Sequence, residues 1–115
     1  VQMNQAANMV TNIPHNIVDH AKTVAQVISH AEREGYAEVE PTEEAVAQWV
    51  DLILTGEGSL IASTDCTPGF WNNEGQGWSK ELRQSLGHPG GAEGYFRHID
   101  AWRRSGAYTG LVFRK

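Results

Sequence analysis

His15 and Asp19, four residues apart, are the first pair in the chain whose types and spacing suit chemistry. On a helix that spacing places both on one face, where they can act as an acid/base pair or as two metal ligands, or serve as a plain surface or capping pair. A second concentration is Cys66 to Gln76, which reads Cys-Thr-Pro-Gly-Phe-Trp-Asn-Asn-Glu-Gly-Gln. There Pro68-Gly69 supplies a turn, Asn72, Asn73 and Gly75 tolerate left-handed backbone, Phe70 and Trp71 offer flat apolar walls, and Glu74 adds a carboxylate. The same run also reads as a tight loop anchored by its aromatics. Cys66 has no base beside it and reads as a packed small residue rather than a nucleophile. His20, His30, His88 and His98 show no zinc-type spacing with one another or with Cys66, so no metal site is expected. Gly90-Gly91 and Gly56-Glu57-Gly58 do not follow the strand–turn–helix pattern through which backbone N–H groups reach a pyrophosphate.

Three helices must position these residues. Thr11 or Asn12 can cap the first, Pro14 is tolerated in its first turn, and Gly35 can end it in a left-handed conformation. Ile17, Val18, Ala21, Val24, Ala25, Ile28 and Ala31 follow at helical spacing and predict one apolar stripe turned to a core. Thr42 can cap the second helix, with Glu43 and Glu44 placed where the helix dipole favours negative charge. Its buried stripe is read as Ala45, Val46, Trp49, Val50, Ile53 and Leu54. The third runs from about Glu93 to Arg104 through Tyr95, Phe96, Ile99 and Trp102, with Arg103 and Arg104 in its last turn and Gly106 as its stop. Trp49 and Trp102 are expected in the core.

The expected fold is thus mainly α with short extended segments (α+β), three helices plus a long Gly-rich irregular region. Its organisation reads as one unit: a loop over 1–13, a helical pair over 14–54, an irregular segment over 55–91, and a helix with a terminal strand over 92–115. Tyr36 to Glu40 reads as a strand or an extended connector, and Tyr108 to Phe113 as a short strand.

A chain of 115 residues can build one modest core but not two nucleotide-binding domains. Its net charge of −5 supplies no basic footprint, which argues against nucleic acid and anionic membrane as partners. No apolar run approaches the ~20 residues of a bilayer span. The single cysteine forms no internal disulfide and fits a reducing, cytoplasmic setting. The start lacks both a signal peptide and an initiator Met, and reads as trimmed or excised.

Cys66 to Gln76, followed by Gly90-Gly91-Ala92-Glu93-Gly94-Tyr95-Phe96, Ala101-Trp102-Arg103-Arg104-Ser105-Gly106 and Gly110-Leu111, resembles the C-terminal portion of the Baeyer-Villiger monooxygenases. These flavin-dependent enzymes include the cyclohexanone, phenylacetone and steroid ketone monooxygenases. The resemblance runs from about Asn8 to Phe113 and implies a C-terminal portion of a flavin monooxygenase fold. It implies FAD and NADPH as cofactors of a complete enzyme, a small ketone or a polyketide- or terpenoid-like substrate, and upstream cofactor domains as partners. It places Asn12 and Ile13 at the flavin, and Asn8, Met9, Val10, Phe70 and Trp71 at the substrate pocket. In some members of the family a Trp stands where this chain has Thr67, so that cofactor contact does not carry over. The family's catalytic Arg, its signature motif and both glycine fingerprints would lie upstream of Val1. With no phosphate cradle of its own, the isolated chain is expected to bind neither cofactor tightly.

A second reading is a stand-alone, non-redox descendant of this segment: a small isomerase, cyclase or lyase using His15, Asp19 or Glu74, or a ligand-binding protein. Such a protein would cover its exposed surfaces by dimerising through the first helix. An interaction module without chemistry is the third reading, for which the residues offer no positive sign.

Overall fold

Helix α1 (Ile13–Glu34) begins where Asn12 accepts a hydrogen bond from the His15 N–H at 3.4 Å, with Pro14 in the first turn. It stops at Gly35, whose φ of 71° lets its N–H reach back to the last carbonyls. The computed structural model describes residues 12–56, 67–69, 74–76, 84 and 87–115. Asn8, Met9, Val10, Cys66, Phe70 and Trp71 lie outside the described residues.

Helix α2 (Glu43–Leu54) carries the expected cap, Thr42 Oγ1 accepting from the Ala45 N–H at 3.1 Å, and the acidic first turn. Helix α3 (Gly91–Ser105) starts without a side-chain cap. His88 does the equivalent work from outside: its Nδ1 accepts from the Gly90 N–H at 3.0 Å and its carbonyl from the Gly91 N–H at 2.9 Å. A Cβ at Gly94 would sit 3.1 Å from the same imidazole. Gly90 and Gly94 therefore seat a histidine ring. Strands β1 (Glu38–Pro41) and β2 (Leu111–Arg114) form an antiparallel pair in the register Glu38 opposite Arg114 and Pro41 opposite Leu111. Arg114 pairs with Glu40, which holds that carboxyl below its ordinary range through the hydrogen bond and the guanidinium charge. The described residues thus form a mostly helical fold with one small sheet, as the residue pattern implied.

Two aromatic clusters hold the elements together. Tyr95, buried on α3, packs with Trp49, Ala92, Phe96 and Ile99, and Ile53 of α2 is 1% exposed. At the other end of α1, His30 lies 4.5 Å from Tyr108 and 4.9 Å from Phe113, ring centre to ring centre, with Tyr36 and Trp102 joining the group. Tyr108 is buried despite a φ of 47°.

Three expectations are corrected. The apolar stripe of α1 does not face these clusters: Ile17, Val18, Val24 and Ile28 are 44–52% exposed, and of the predicted stripe Ala31 alone is buried. The buried face carries Asn16 and Asp19, continued by half-buried Thr23, Gln26 and His30. Helical periodicity finds stripes but does not say which one meets a neighbour, and here an ion pair decides. Trp49 and Trp102 are half-buried rather than enclosed. Trp102 stays at the rim because its indole N–H donates to the Thr109 carbonyl at 2.9 Å. In α2, Val46 is likewise exposed.

Candidate functional site between helices α1 and α3

The first half of α1 and α3 enclose an open cleft of about 560 Å³ whose walls include His15, Asp19, Phe96, Arg97, Asp100 and Arg103. The i, i+4 pair of the sequence does share this wall. The His15 ring meets Phe96 edge-on at 4.7 Å, while Asp19 is committed to a cation. Asp19 Oδ1 accepts from Arg103 Nη2 at 2.7 Å, and both side chains are 11% exposed. The other guanidinium nitrogen, Nη1, donates to the Asp19 carbonyl at 3.1 Å and to Thr23 Oγ1 at 3.0 Å. Thr23 Oγ1 in turn donates to the Asp19 carbonyl at 3.1 Å, and Gln26 Nε2 to the Arg103 carbonyl at 3.0 Å. The hydrogen bond to Asp19 raises the guanidinium's proton affinity above its ordinary value, against the effect of burial and with help from the charges of Asp19 and Asp100. Asp19 Oδ2 is buried without a hydrogen-bond partner.

Of the other charges of the cleft, Arg97 pairs with Glu93, and Asp100 pairs with Arg104 outside the cleft while lying 3.6 Å from Arg103 Nη2. Behind the wall, burial pushes the Tyr95 hydroxyl up to about 12, the negative charge of Asp19 adding to the effect and Arg103 opposing it. His88 is lowered by burial and by the neighbouring His98, and both rings pack on Trp49. Each of the five histidines thus has an aromatic neighbour, and among the described residues no three His, Cys, Asp or Glu side chains gather as a metal site would require.

The start of α1 is the other chemically distinct feature. An α-helix leaves its first N–H groups without intrahelical partners. Here the His15 N–H goes to the Asn12 side chain, the Asn16 N–H to the Asn12 carbonyl, and Pro14 has none. Among the described residues none accepts from the Ile13 N–H, Ile13 is 47% exposed, and no acidic side chain stands in that turn. A positive helix end with one open N–H fits an electron-rich ring edge. Glu74 is exposed, with a φ of 54°, its N–H donates to the Gly69 carbonyl at 3.0 Å, and it does not line the cleft. Arg103 is the site residue that sequence reasoning assigned only a helix-dipole role; its pairing with Asp19, 84 positions away, leaves no local signal.

Comparison with known proteins gives the lineage. No family model matches the chain. It is 33% identical over 101 residues to the FAD-binding monooxygenase hmp7 of Hypomyces subiculosus, covering 87% of this chain. It is 32% identical over 105 residues to the pentalenolactone D synthase of Streptomyces arenae, covering 90%, and 31% identical over 112 residues to Baeyer-Villiger monooxygenase 4 of a Dietzia species, covering 96%. The chain spans only 17–18% of the length of these relatives. Among solved structures, an oxidised steroid monooxygenase bound to NADP superposes with a TM-score of 0.69 at 24% identity, over 96% of this chain and 19% of that one, so the fold is part of a flavin monooxygenase fold. In sequence the chain matches part of FAD-binding and Baeyer-Villiger monooxygenases, and in fold it matches part of a steroid monooxygenase.

Proposed function

We propose that this segment works within a complete Baeyer-Villiger monooxygenase, where it presents the start of α1 to the flavin and contributes part of the substrate wall. The observation that carries the reading is the match of 87–96% of the chain to enzymes of this kind. In the complete enzyme FAD and NADPH supply the redox chemistry that inserts one oxygen atom of dioxygen beside a ketone carbonyl, giving an ester or lactone. Asn12 orders the first turn through its bond to the His15 N–H, and Ile13 offers its N–H with the positive end of the helix dipole. Asn8, Met9, Val10, Phe70 and Trp71 are assigned to the pocket for a ketone of the polyketide or terpenoid kind. Other parts of the enzyme hold both cofactors' phosphates, since Gly90 and Gly94 cradle His88 instead.

The non-redox reading gains nothing from the geometry. His15 and Asp19 do not act on one another: one packs on Phe96 and the other is held by Arg103. The genomic sequence upstream of Val1 tests the proposal. A glycine-rich strand–turn–helix fingerprint in the same frame is expected, and an in-frame stop codon directly upstream sinks it. The chain by itself should bind neither FAD nor NADPH tightly; a flavin fluorescence titration giving a submicromolar Kd would overturn the assignment of phosphate binding to other parts.

A further inference from the structure

We propose that Arg103 is a positioning residue: with Asp19 it fixes the rotation of α1, and so sets where the Asn12–His15 turn stands against the flavin. The proposal rests on the reading above, in which that turn faces the flavin. Arg103 touches α1 at three points within one turn: the Asp19 carboxylate at 2.7 Å, the Asp19 carbonyl at 3.1 Å and the Thr23 hydroxyl at 3.0 Å. Gln26 returns a fourth contact to the Arg103 carbonyl at 3.0 Å. Together these four bonds specify both rotation and height of α1 on α3, because a helix turned by one residue moves each side chain by about 100°.

The apolar half of α1 points away. The ring contacts of α1 with α3, His15 on Phe96 and His20 on Tyr95, are edge-on and tolerate small rotations. Asp19 lies six residues, or about 9 Å of helix, from Ile13. The helix between them is continuous, so a shift at the clasp is delivered to the first turn. Arg114, a guanidinium that pairs with Glu38 and Glu40 of β1 away from the clasp, serves as the control.

The experiment uses the complete flavoenzyme purified with its flavin, and reads the flavin's reduction potential and visible absorption spectrum. Arg103→Met and Asp19→Asn should each lower the potential by about 30 mV, equivalent to a tenfold weaker preference for the reduced two-electron state, with a displaced visible band. Arg103→Lys should recover part of the shift, and Arg114→Met should leave both readouts unchanged. Ile13→Pro removes the open N–H at a position where proline is accepted, and reports whether the turn faces the flavin at all.

If Ile13→Pro shifts the potential while Arg103→Met and Asp19→Asn do not, the clasp has no positioning role and the proposal is overturned. If none of the three shifts it, the flavin-facing assignment fails and the proposal with it. Should Arg103→Met fail to fold, Asp19→Asn decides the question, since it removes the carboxylate charge but keeps its shape.

Discussion

Replacing Arg103 with methionine tests whether the α1–α3 seam is held by a buried charge pair or by the apolar contacts around it. Asp19 is 8% exposed and Arg103 is 11% exposed at the side chain, so neither charge is well solvated when its partner is lost. An exposed ion pair is worth at most about 1 kcal/mol. Breaking a buried one costs about 3–5 kcal/mol, because the surviving charge is stranded. Arg103→Met should therefore destabilise the chain by about 3–5 kcal/mol. The double replacement Asp19→Leu with Arg103→Met leaves no stranded charge, and should cost clearly less than the sum of the two single changes. The Gln26 bond to the Arg103 carbonyl and the Thr23 bond to the Asp19 carbonyl do not need the guanidinium. Urea unfolding followed by tryptophan fluorescence measures each variant. With a urea m-value of about 1–3 kcal/mol/M, the Arg103→Met midpoint should fall by at least about 1 M. A loss below about 1 kcal/mol, or a double variant whose cost equals the sum, would refute the buried-pair account.

Three further outcomes follow from single residues. Tyr95, with its hydroxyl pushed up to about 12 from an ordinary value near 10, contributes stability that is fully present below pH ~10 and lost as pH rises through 12. The loss is up to about 2–3 kcal/mol, seen as a late phenolate absorbance that Tyr95→Phe abolishes. Gly110 has a φ of 90°, and a Cβ there would lie 2.8 Å from the Ala45 Cβ; Gly110→Ala should cost about 1–3 kcal/mol, read as a lowered thermal midpoint. Trp102→Phe should lose only the bond to the Thr109 carbonyl, about 1 kcal/mol, whereas Trp102→Ala should lose more by removing the ring against Tyr108; equal costs in denaturation would show that the ring does not pack.

Helix ends were legible in the sequence because their signals are local. Asn12 with Pro14, Thr42 with Glu43 and Glu44, Gly35 and Gly106 each appear at the termini they predicted. The extended pieces also emerged, as β1 and β2, although their pairing depends on partners 70 or more positions apart, such as Glu38 and Arg114. What the residue pattern hid was the facing of α1. Ile17, Val24 and Ile28 form the stronger stripe by hydropathy, yet Asn16, Asp19, Thr23 and Gln26 are the side that meets α3. A stripe of polar residues reads as a solvated surface until a distant arginine is known to lie against it. The shared wall of His15 and Asp19 was legible from their spacing, but their separate commitments to Phe96 and Arg103 were not.

The reversed facing of α1 divides its residues into two groups with different mutational tolerance. Changes at Asp19, Thr23 or Gln26 are felt inside the segment, whose own unfolding curve will register them. Changes at Ile13, Ile17, Val24 and Ile28, each about half open to solvent, leave that curve almost untouched. Polar substitutions there would even improve the behaviour of the segment in solution, by shrinking an oily surface that favours self-association. A screen for well-behaved variants of this piece would therefore select replacements of those isoleucines and Val24 without registering any role they play in the whole enzyme.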